Sequence, residues 1–558
     1  MALRLGDLLR QANIVTNEMI SYALNVQKAT GARLGDTLKK LKLATDYDIA
    51  TVLATQAEMG YTNLDEITPE VSLLGNIPYD MAKQYETLPI AIDGDHLVIA
   101  IADPFNNEMK QKIRAVIIHK PRFVVAPRAA LLRKIEHVYY LATHPLAEEI
   151  RSISNAFRRK ESFQVDKLVE LIIKSAIDHR ASDIHVNASD VATLISFRID
   201  GVLQLAHALP SPLHNSLVAK IKQQCNMDVA ERNRSQDAHT DFVFLYEKYD
   251  LRMSTVPTVH GENVVIRILA TDSPIRSLSE LGFAGSQLSA LKRMIDSPYG
   301  MILAVGPTGA GKSTTLYSMV RKLNLIQKNL MTIEDPIEYD MPLVKQTNVS
   351  EKNGVSYTSA VRSFLRQDPD ALLIGEIRDE ETAQLAMRAA QTGHLVLSTI
   401  HANNTSGAIS RLRDLGVGNM TIASGLTGII AQRLARKLCK HCRREVELAD
   451  TERQRLNINK TKVFQHTGCQ HCRQTGYIGR TVVAEIVELD EELRALVDLG
   501  GSQMDIQQLA RRKGHQSLAQ AGIALIEAGE IDIAEFFRII KLDDHAPAPS
   551  DADGHQAA

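Results

Sequence analysis

A short phosphate-binding motif constrains the fold more than any other feature of this chain. Residues 306–313 spell GPTGAGKS, which fits the pattern GxxxxGK[ST]. An apolar segment at 301–305 precedes the motif, and residues 314–323 follow it with a helical pattern. A glycine-rich loop between a strand and a helix lets backbone N–H groups curl around a phosphate. The sequence therefore predicts an α/β domain that binds a nucleotide.

Each residue type in this loop has a chemical task. Lys312 is expected to reach the β- and γ-phosphate oxygens, and the Ser313 hydroxyl is expected to ligate Mg²⁺. The predicted ATP-binding residues are Gly306, Pro307, Thr308, Gly309, Ala310, Gly311, Lys312, Ser313 and Thr314.

Two acidic clusters lie downstream of the motif. Residues 332–338, TIEDPIE, follow an apolar segment, and residues 370–379, DALLIGEIRD, form a buried-strand pattern that ends in acidic residues. A carboxylate there can hold Mg²⁺, and another can polarise the attacking water. Acidic residues at strand ends also serve as helix caps, so the prediction depends on both clusters following a P-loop.

Two histidines flank the apolar segment at 395–400. His394 and His401 are candidates for sensing the γ-phosphate or for capping a strand, and the residue pattern favours neither role.

Four of the five cysteines form two CxxC pairs, CKHC and CQHC, with 26 residues between them. Two CxxC turns can close a tetrahedral shell of four sulfurs, which suits a structural Zn²⁺ with no open position for chemistry. The predicted ligands are Cys439, Cys442, Cys469 and Cys472, with His441 and His471 outside the shell. Free thiols or an iron–sulfur cluster are the alternatives. Cys225 is expected in a core.

Composition excludes several classes of protein. At 558 residues, the chain is expected to form about three to five domains. It has 64 Lys and Arg against 66 Asp and Glu, and no Trp, which argues against a nucleic-acid partner. No stretch of about 18 apolar residues is present, and the N-terminus lacks the apolar core of a signal peptide. We therefore expect a cytosolic protein, or one peripheral at the cytosolic face of the membrane.

The first 60 residues contain an internal repeat. The segments at 4–27 and 33–56 both begin with Arg-Leu-Gly, end with Gln, and are joined by a five-residue spacer. In the second half of each segment, two apolar residues lie four positions apart, which suits one face of a helix. A duplicated helical hairpin that only packs or docks a partner is one interpretation. Packing does not require that Arg and Gln recur in both segments, so their recurrence favours a ligand-binding role for the repeats.

The remaining pattern predicts a mixed α/β multidomain chain. The predicted segments are an N-terminal helical and α/β domain at 1–145, a linker at 146–163, an α/β domain at 164–272, the nucleotide-binding core at 278–435, the cysteine insert at 436–480, a helical region at 481–543, and a disordered tail at 544–558.

From ASDIH at 181–185 and RIDG at 198–201 to Cys472, the chain resembles the GspE/PilB secretion ATPases of type II secretion and type IV pilus assembly. The resemblance implies a RecA-like core preceded by a PAS-like domain. It implies that Glu338 is the general base and that Glu376, with Ser313, serves Mg²⁺. It also implies phosphate-reaching or phosphate-sensing roles for Arg252, Arg267, Arg362 and Arg366.

The same resemblance implies a working assembly. Members of this family act as cytoplasmic homo-hexamers on an inner-membrane platform protein, and the zinc insert is typical of assembly and export rather than retraction. The expected function is ATP-driven pilus assembly. The alternatives are a type II secretion ATPase and a non-catalytic nucleotide-sensing scaffold.

The N-terminal repeats are similar to the cyclic di-GMP-binding N-terminal domain of pilus ATPases of the MshE type. The ligand residues that this resemblance implies are Arg4, Leu5, Gly6, Gln27, Arg33, Leu34, Gly35 and Gln56, together with Asp36 and Asp103. Arginine can stack on guanine or bind phosphate, and a Gln amide can bond a base edge. The repeats depart from the pattern at Arg10, Asn13, Lys39 and Lys42.

Overall fold

The computed structural model describes residues 5–12, 14–271, 275–458 and 460–541. The chain divides into two compact units. The first contains the residues up to Ile275 together with Glu338–Leu343, and the second contains Arg276–Ile337 and the chain from Val344 onwards. Arg4, Asn13 and the predicted disordered tail at 544–558 lie outside the described residues.

The two N-terminal repeats form four helices: α1 (Leu5–Gln11), α2 (Asn17–Thr30), α3 (Leu34–Lys40) and α4 (Asp46–Gln56). In each repeat, the second helix is preceded by a threonine whose side chain accepts a backbone hydrogen bond, Thr16 for α2 and Thr45 for α4. Such a cap satisfies an N–H group that has no partner within the helix. The repeats exchange partners, because α1 packs against α4 and α2 packs against α3.

A small α/β layer follows the repeats. It consists of β1 (Gly60–Tyr61), α5 (Val71–Leu74), α6 (Tyr79–Tyr85), β2 (Thr87–Asp93), β3 (His96–Ile101), α7 (Asn107–Val116), β4 (Lys120–Val125) and α8 (Arg128–Thr143). The strands form one sheet in the order β1-β4-β3-β2. Its core includes Leu97, Ile99 and Ile101, none of which is exposed.

The rest of the first unit carries a second sheet. Its elements are α9 (Leu146–Arg158), α10 (Val165–Asp178), β5 (Ala181–Ala188), β6 (Ala192–Ile199), β7 (Val202–Pro210), α11 (Leu213–Gln224), β8 (Gln236–Phe244), β9 (Glu247–Thr258) and β10 (Gly261–Ala270). The six strands pair antiparallel in the order β7-β6-β5-β10-β9-β8. The helices α10 and α11 pack on this sheet.

The segment expected to be a linker at 146–163 differs from that expectation. Most of it forms α9, which buries Leu146 and Ile150 in the core of this domain and packs Ile153 and Phe157 against it. These positions recur at three- and four-residue spacing, the spacing of one helix face. The charged residues on the other face of this helix make the apolar spacing difficult to recognise in the sequence.

The second unit is built on a seven-stranded sheet. Its elements up to the cysteines are α12 (Gly285–Ile295), β11 (Gly300–Val305), α13 (Lys312–Val320), β12 (Leu330–Glu334), β13 (Lys345–Asn348), α14 (Tyr357–Phe364), β14 (Ala371–Ile374), α15 (Glu380–Gln391), β15 (Leu395–Ile400), α16 (Thr405–Asp414), α17 (Asn419–Gly425) and β16 (Leu426–Leu438).

The remaining elements are β17 (Arg443–Glu447), α18 (Asp450–Leu456), β18 (Lys462–His466), β19 (Tyr477–Glu488), α19 (Glu491–Asp498), α20 (Gln503–Arg512), α21 (Leu518–Glu527) and α22 (Ile533–Ile539). The sheet order is β13-β12-β14-β15-β11-β16-β19, parallel except that β19 runs antiparallel to β16. The sheet thus continues beyond residue 435, and the segment expected to be helical from 481 begins inside a strand. No described helix is long and apolar enough to cross a membrane.

Candidate nucleotide, metal and dinucleotide sites

The P-loop follows the fully buried strand β11, which lies between β15 and β16 in the sheet. Gly306, Gly309 and Gly311 have φ angles of 151°, 77° and 84°. A Cβ on Gly306 would come within 2.6 Å of the Gln432 carbonyl oxygen. The first glycine is therefore required both by its backbone conformation and by this close approach to β16.

Gln432 supports the loop from β16. Its side chain is 1% exposed, and its Nε2 donates to the Ala310 carbonyl over 2.7 Å. It lies more than a hundred residues from the motif, so no local sequence pattern indicates this contact. Only the parallel pairing of β16 with β11 brings the two together.

Lys312 lies over the loop that precedes it. Its Nζ donates to the carbonyls of Gly306, over 2.9 Å, and Pro307, over 3.2 Å. Burial lowers the pKa of this ammonium, and the nearby Arg433 guanidinium lowers it further, whereas Glu376 acts in the opposite direction. Two cations and one carboxylate thus share the phosphate-binding region.

Glu376 follows β14, at the edge of the sheet where the P-loop lies. It pairs with Arg378, and His401 Nε2 lies 3.6 Å from its other oxygen. The loop that carries it is tied to β15, because Thr399 donates to the Gly375 carbonyl over 2.8 Å. The structure therefore brings Lys312, Glu376 and His401 to one edge of the sheet.

The residues at this edge fit Mg²⁺. Ser313 stands in the first turn of α13, and Glu376 provides a carboxylate. Hydroxyl and carboxylate oxygens, together with substrate phosphates, are the ligands that Mg²⁺ prefers. Ser313 and Glu376 would hold the ion, and the ion would neutralise charge on the phosphates.

The two glutamates near the end of β12 have different surroundings. Glu334 is buried, accepts a hydrogen bond from Tyr317, and accepts another from Thr332 over 2.8 Å. Glu338 is exposed in the following loop. The main chain just before it is fixed, because the Ile337 N–H donates to the Asn348 side chain over 2.8 Å. Glu334 is thus buried and hydrogen-bonded, whereas Glu338 lies at an exposed position.

The structure does not bring His394 to the P-loop. Its Nδ1 contacts the Ala389 carbonyl at the end of α15, and its own carbonyl accepts from the Gly300 N–H at the start of β11. A six-residue strand spans about 20 Å, and the P-loop lies at its other end. Of the two roles left open by the sequence, capping a strand describes His394, which immediately precedes β15.

Arg362 and Arg366 also do not converge on the P-loop of their own chain. Arg362 pairs with Glu381 on the surface of α15. Arg366 donates to the Arg362 carbonyl, and the next residue, Gln367, accepts from Asn329 at the start of β12. This start of β12 is the sheet edge opposite the P-loop, whereas Glu381, the partner of Arg362, stands in the first turn of α15, which begins at the edge that carries Glu376.

The first unit holds the other two predicted arginines opposite each other. Arg252 on β9 and Arg267 on β10 are cross-strand partners. The Nε of Arg252 donates to Asp250, and the Nε of Arg267 donates to Asp183, each over 3.1 Å. Both guanidiniums are partly exposed on the sheet face that carries no buried core.

The four cysteines form one compact cluster in the second unit. Their sulfurs all lie within 4.8 Å of one another, and three of the four residues are buried. Burial raises the pKa of the Cys439 thiol to about 12, whereas at Cys472 hydrogen bonds outweigh the effect of burial and lower the pKa. Four sulfurs match Zn²⁺. The rings of His441 and His471 stack with centroids 4.0 Å apart and are not among the clustered ligands.

We expect the purified chain to contain about one zinc ion per molecule, as a four-sulfur site requires. Cys442→Ser should lose the ion and expose residues 439–476 to protease, because metal binding is coupled to local folding. Elemental analysis and limited proteolysis measure both effects. Cys225→Ser is the matched control, since Cys225 is buried in the other unit and should leave the zinc content unchanged. A zinc-free preparation that is folded and protease-resistant would refute the site.

The repeat helices approach each other symmetrically. A Cβ on Gly6 would lie 3.5 Å from Leu34, and a Cβ on Gly35 would lie 3.4 Å from Leu5. Each Leu-Gly pair thus contacts the other pair. Arg33 is exposed immediately before α3, whereas Arg4 lies outside the described residues. Among the described residues, Arg33 thus lies next in sequence to one of the two symmetric Leu-Gly pairs.

The departures at Arg10 and Lys39 have matching contacts. Arg10 bonds Asn17 over 3.1 Å and lies 3.5 Å from Asp7. Lys39 pairs with Asp46 at 2.9 Å and with Asp36 at 3.1 Å. The two cations are 29 positions apart, as are their partners. Both replacements therefore join the first helix of a repeat to the start of its second helix.

The remaining predicted ligand residues are dispersed. Gln27 and Gln56 are partly exposed at or near the ends of α2 and α4. Asp103 lies between β3 and α7, where its Oδ1 accepts from the Phe105 N–H over 2.9 Å. One of its carboxylate oxygens is thus used in a turn.

A parallel sheet with a P-loop that contains Lys312, and with Glu376 at the same edge, is typical of P-loop nucleoside triphosphatases. A family model for type II/IV secretion system proteins matches residues 158–538, more than half of the chain. The chain belongs to this family of secretion ATPases. A second model, for the MshEN domain, matches residues 57–145, which follow the two repeats. The α/β multidomain class with a RecA-like core, and the two resemblances noted in the sequence, are confirmed.

The curated relatives include pilus and secretion ATPases. The type IV pilus assembly ATPase PilB of Myxococcus xanthus is 34% identical over 95% of this chain and 98% of its own length. PilB of Thermus thermophilus is 34% identical over 93% of this chain, which spans 64% of that longer protein. The type II secretion system protein HxcR of Pseudomonas aeruginosa is 37% identical over 71% of this chain and 81% of its own length.

Two solved structures match parts of the chain. The ATPase DotB of Legionella pneumophila matches 66% of this chain and 94% of its own, at 20% identity and a TM-score of 0.50. A structure of MshE with cdg matches 25% of this chain and 99% of its own, at 31% identity and a TM-score of 0.22.

Proposed function

We propose that this chain hydrolyses ATP to drive assembly of a type IV pilus. The observation that carries the proposal is the P-loop, with Lys312, Glu376 and His401 at one edge of the sheet. Lys312 neutralises phosphate charge, Glu376 and Ser313 hold Mg²⁺, and Glu338 accepts a proton from the attacking water. Arg252, Arg267, Arg362 and Arg366 contribute positive charge where the transferred phosphoryl group becomes more negative.

The working form in this proposal is a homo-hexamer. The placement of Arg366 supports an oligomer, because it lies near the start of β12, at the sheet edge opposite the P-loop of its own chain, and would need another copy to meet a phosphate. Its partner is an inner-membrane platform protein, with the ring peripheral at the cytoplasmic face of that membrane. The zinc insert contributes a rigid structural element and takes no part in the chemistry.

Pilus assembly and type II secretion are distinguished by the product. The two pilus relatives match 93% and 95% of this chain at 34% identity, and a type II secretion system protein E of Xanthomonas campestris matches 93% at 32% identity, so coverage alone does not separate the two products. A strain that lacks this chain should lose surface pilin and keep protein export, and the wild-type chain, but not Lys312→Ala, should restore the pilin. Loss of export with surface pilin retained would instead identify a secretion ATPase. Wild-type recovery by Lys312→Ala would indicate a non-catalytic scaffold.

We also propose that the N-terminal repeats bind cyclic di-GMP as a regulatory ligand. The symmetric contacts between Leu5 and Gly35, and between Leu34 and Gly6, support a ligand with two equivalent halves. Isothermal titration of the full chain with cyclic di-GMP tests this. The alternative, a helical docking domain for a membrane partner, predicts no binding of the dinucleotide.

A further inference from the structure

A row of charged side chains crosses four neighbouring strands of the six-stranded sheet. In register from β6 to β9, the row consists of Arg198, Asp183, Arg267 and Arg252. The chain neighbours Ile184, Ile266 and Met253 are buried in the core on the other face. Because successive strand residues point to opposite faces, the row lies on the face away from that core.

Asp183 is the least exposed member of the row, because its side chain is only 9% exposed whereas that of Arg267 is 64% exposed. One carboxylate oxygen accepts from Arg267 Nε over 3.1 Å. The other accepts from the Ser182 hydroxyl over 2.7 Å and lies 3.7 Å from Arg198 Nε. A carboxylate with both oxygens engaged and little solvent contact has a fixed position.

The carboxylate contacts Arg267 at Nε alone. The terminal nitrogens of Arg267 make no hydrogen bond to the described residues. The same holds for the terminal nitrogens of Arg252, whose Nε donates to Asp250. A guanidinium held at Nε still presents its two terminal nitrogens as a fork, the geometry that matches a phosphate. The contact therefore fixes the direction of each fork and leaves the fork open.

The opposed arginines need this negative charge. Arg252 and Arg267 are directly opposite each other on adjacent antiparallel strands. Like charges in such a pair destabilise the sheet and drive the side chains apart. Asp183 on one side and Asp250 on the other balance the two guanidiniums where they stand.

We propose that Asp183 is a positioning residue for ATP hydrolysis, which aims the Arg267 fork at the phosphates. The proposal rests on the function proposed for Arg267. Asp183 does not touch the nucleotide in this role and acts only through the arginine. Its negative charge and its place in the register are both needed.

The test is a double-mutant cycle in the full chain, with kcat and KM for ATP measured for each variant. Asp183→Asn keeps the shape of the side chain and removes its charge. It should lower kcat about tenfold, as expected when a catalytic group loses its orientation. In an Arg267→Ala background, Asp183→Asn should cause no further loss. Asp241→Asn is the matched control, because Asp241 is an exposed aspartate on β8, paired with Lys248 at 2.8 Å, and should leave kcat unchanged.

Thermal unfolding of each variant separates positioning from folding. A further drop of kcat in the Arg267→Ala background would show that Asp183 acts through the fold, and would overturn the proposal. Unchanged kcat in Asp183→Asn alone would overturn it as well, while Arg267→Ala remained impaired and its own role stood. Wild-type kcat in Arg267→Ala would remove the role proposed for the arginine, and with it the proposal.

Discussion

Replacing Glu338 by Gln should slow ATP turnover at least about a hundredfold, as expected when a general base is lost. Binding of Mg²⁺-ATP should be retained, because Gln keeps the shape of the side chain and Lys312 still reaches the phosphates. The exposed position of Glu338, one residue beyond the fixed Ile337 N–H, favours it over the buried Glu334. Steady-state turnover and equilibrium binding of ATP measure the two effects separately.

Three variants control this result. Asp340→Asn, an exposed acidic residue two positions along the same loop, should turn over like the wild type. Lys312→Ala should lose binding rather than the chemical step. Glu334→Gln should lower the thermal stability, because it disturbs a buried carboxylate bonded to Tyr317 and Thr332. Near-normal turnover in Glu338→Gln would move the base to another carboxylate, with Glu376 the next to test.

Arg33→Ala should weaken cyclic di-GMP binding strongly. A hydrogen bond to a charged group contributes about 1.5–3 kcal/mol, which corresponds to roughly ten- to a hundred-and-sixty-fold in affinity. Gln27→Ala and Gln56→Ala should cost less, since a neutral hydrogen bond contributes about 0.5–1.5 kcal/mol. Isothermal titration of the full chain gives these affinities directly. Arg4→Ala should match Arg33→Ala if the two repeats contribute equally.

Lys40→Ala is the matched control for Arg33, because it removes an exposed positive charge at the end of the same helix. It should change affinity little. Equal losses in Arg33→Ala and Lys40→Ala would indicate a general charge effect instead of a specific contact. Absence of binding in the wild type would identify the repeats as a docking module and leave the ATPase assignment intact.

Local motifs made the nucleotide and metal sites predictable from sequence. A P-loop and two CxxC pairs each place their functional atoms within a few residues, so spacing alone determines much of the geometry. The contribution of Gln432 could not be found this way. Its contact with Ala310 depends on which strand lies beside β11, a property of sheet order rather than of any segment.

Strand direction explains the differences among the predicted histidines. His394 and His401 flank the same apolar segment and have similar polar neighbours in sequence. The ends of one strand lie on opposite edges of a sheet, so only His401 can approach the P-loop edge. A sequence pattern marks both ends of a strand without saying which edge carries the site.

Amphipathic patterns were missed where charges dominate the composition. The helix α9 has charged residues around a narrow apolar face, and the segment was therefore expected to be a linker. Arg10 and Lys39 depart from the repeat pattern, and the sequence alone does not show what they contact. Their partners, Asn17 and Asp46, become apparent only when the two repeats are compared as folded helices.

The crossed pairing of α1 with α4 and of α2 with α3 makes the N-terminal duplication indivisible. Deleting either copy would remove from each remaining helix its partner in the other copy, although α4 would keep its contacts with β1, β4 and α8. Affinity for a ligand can then be adjusted by point substitution but not by trimming a copy. A descendant of this chain that does not bind the proposed dinucleotide is expected to lack both copies, or to keep both as a scaffold with altered side chains.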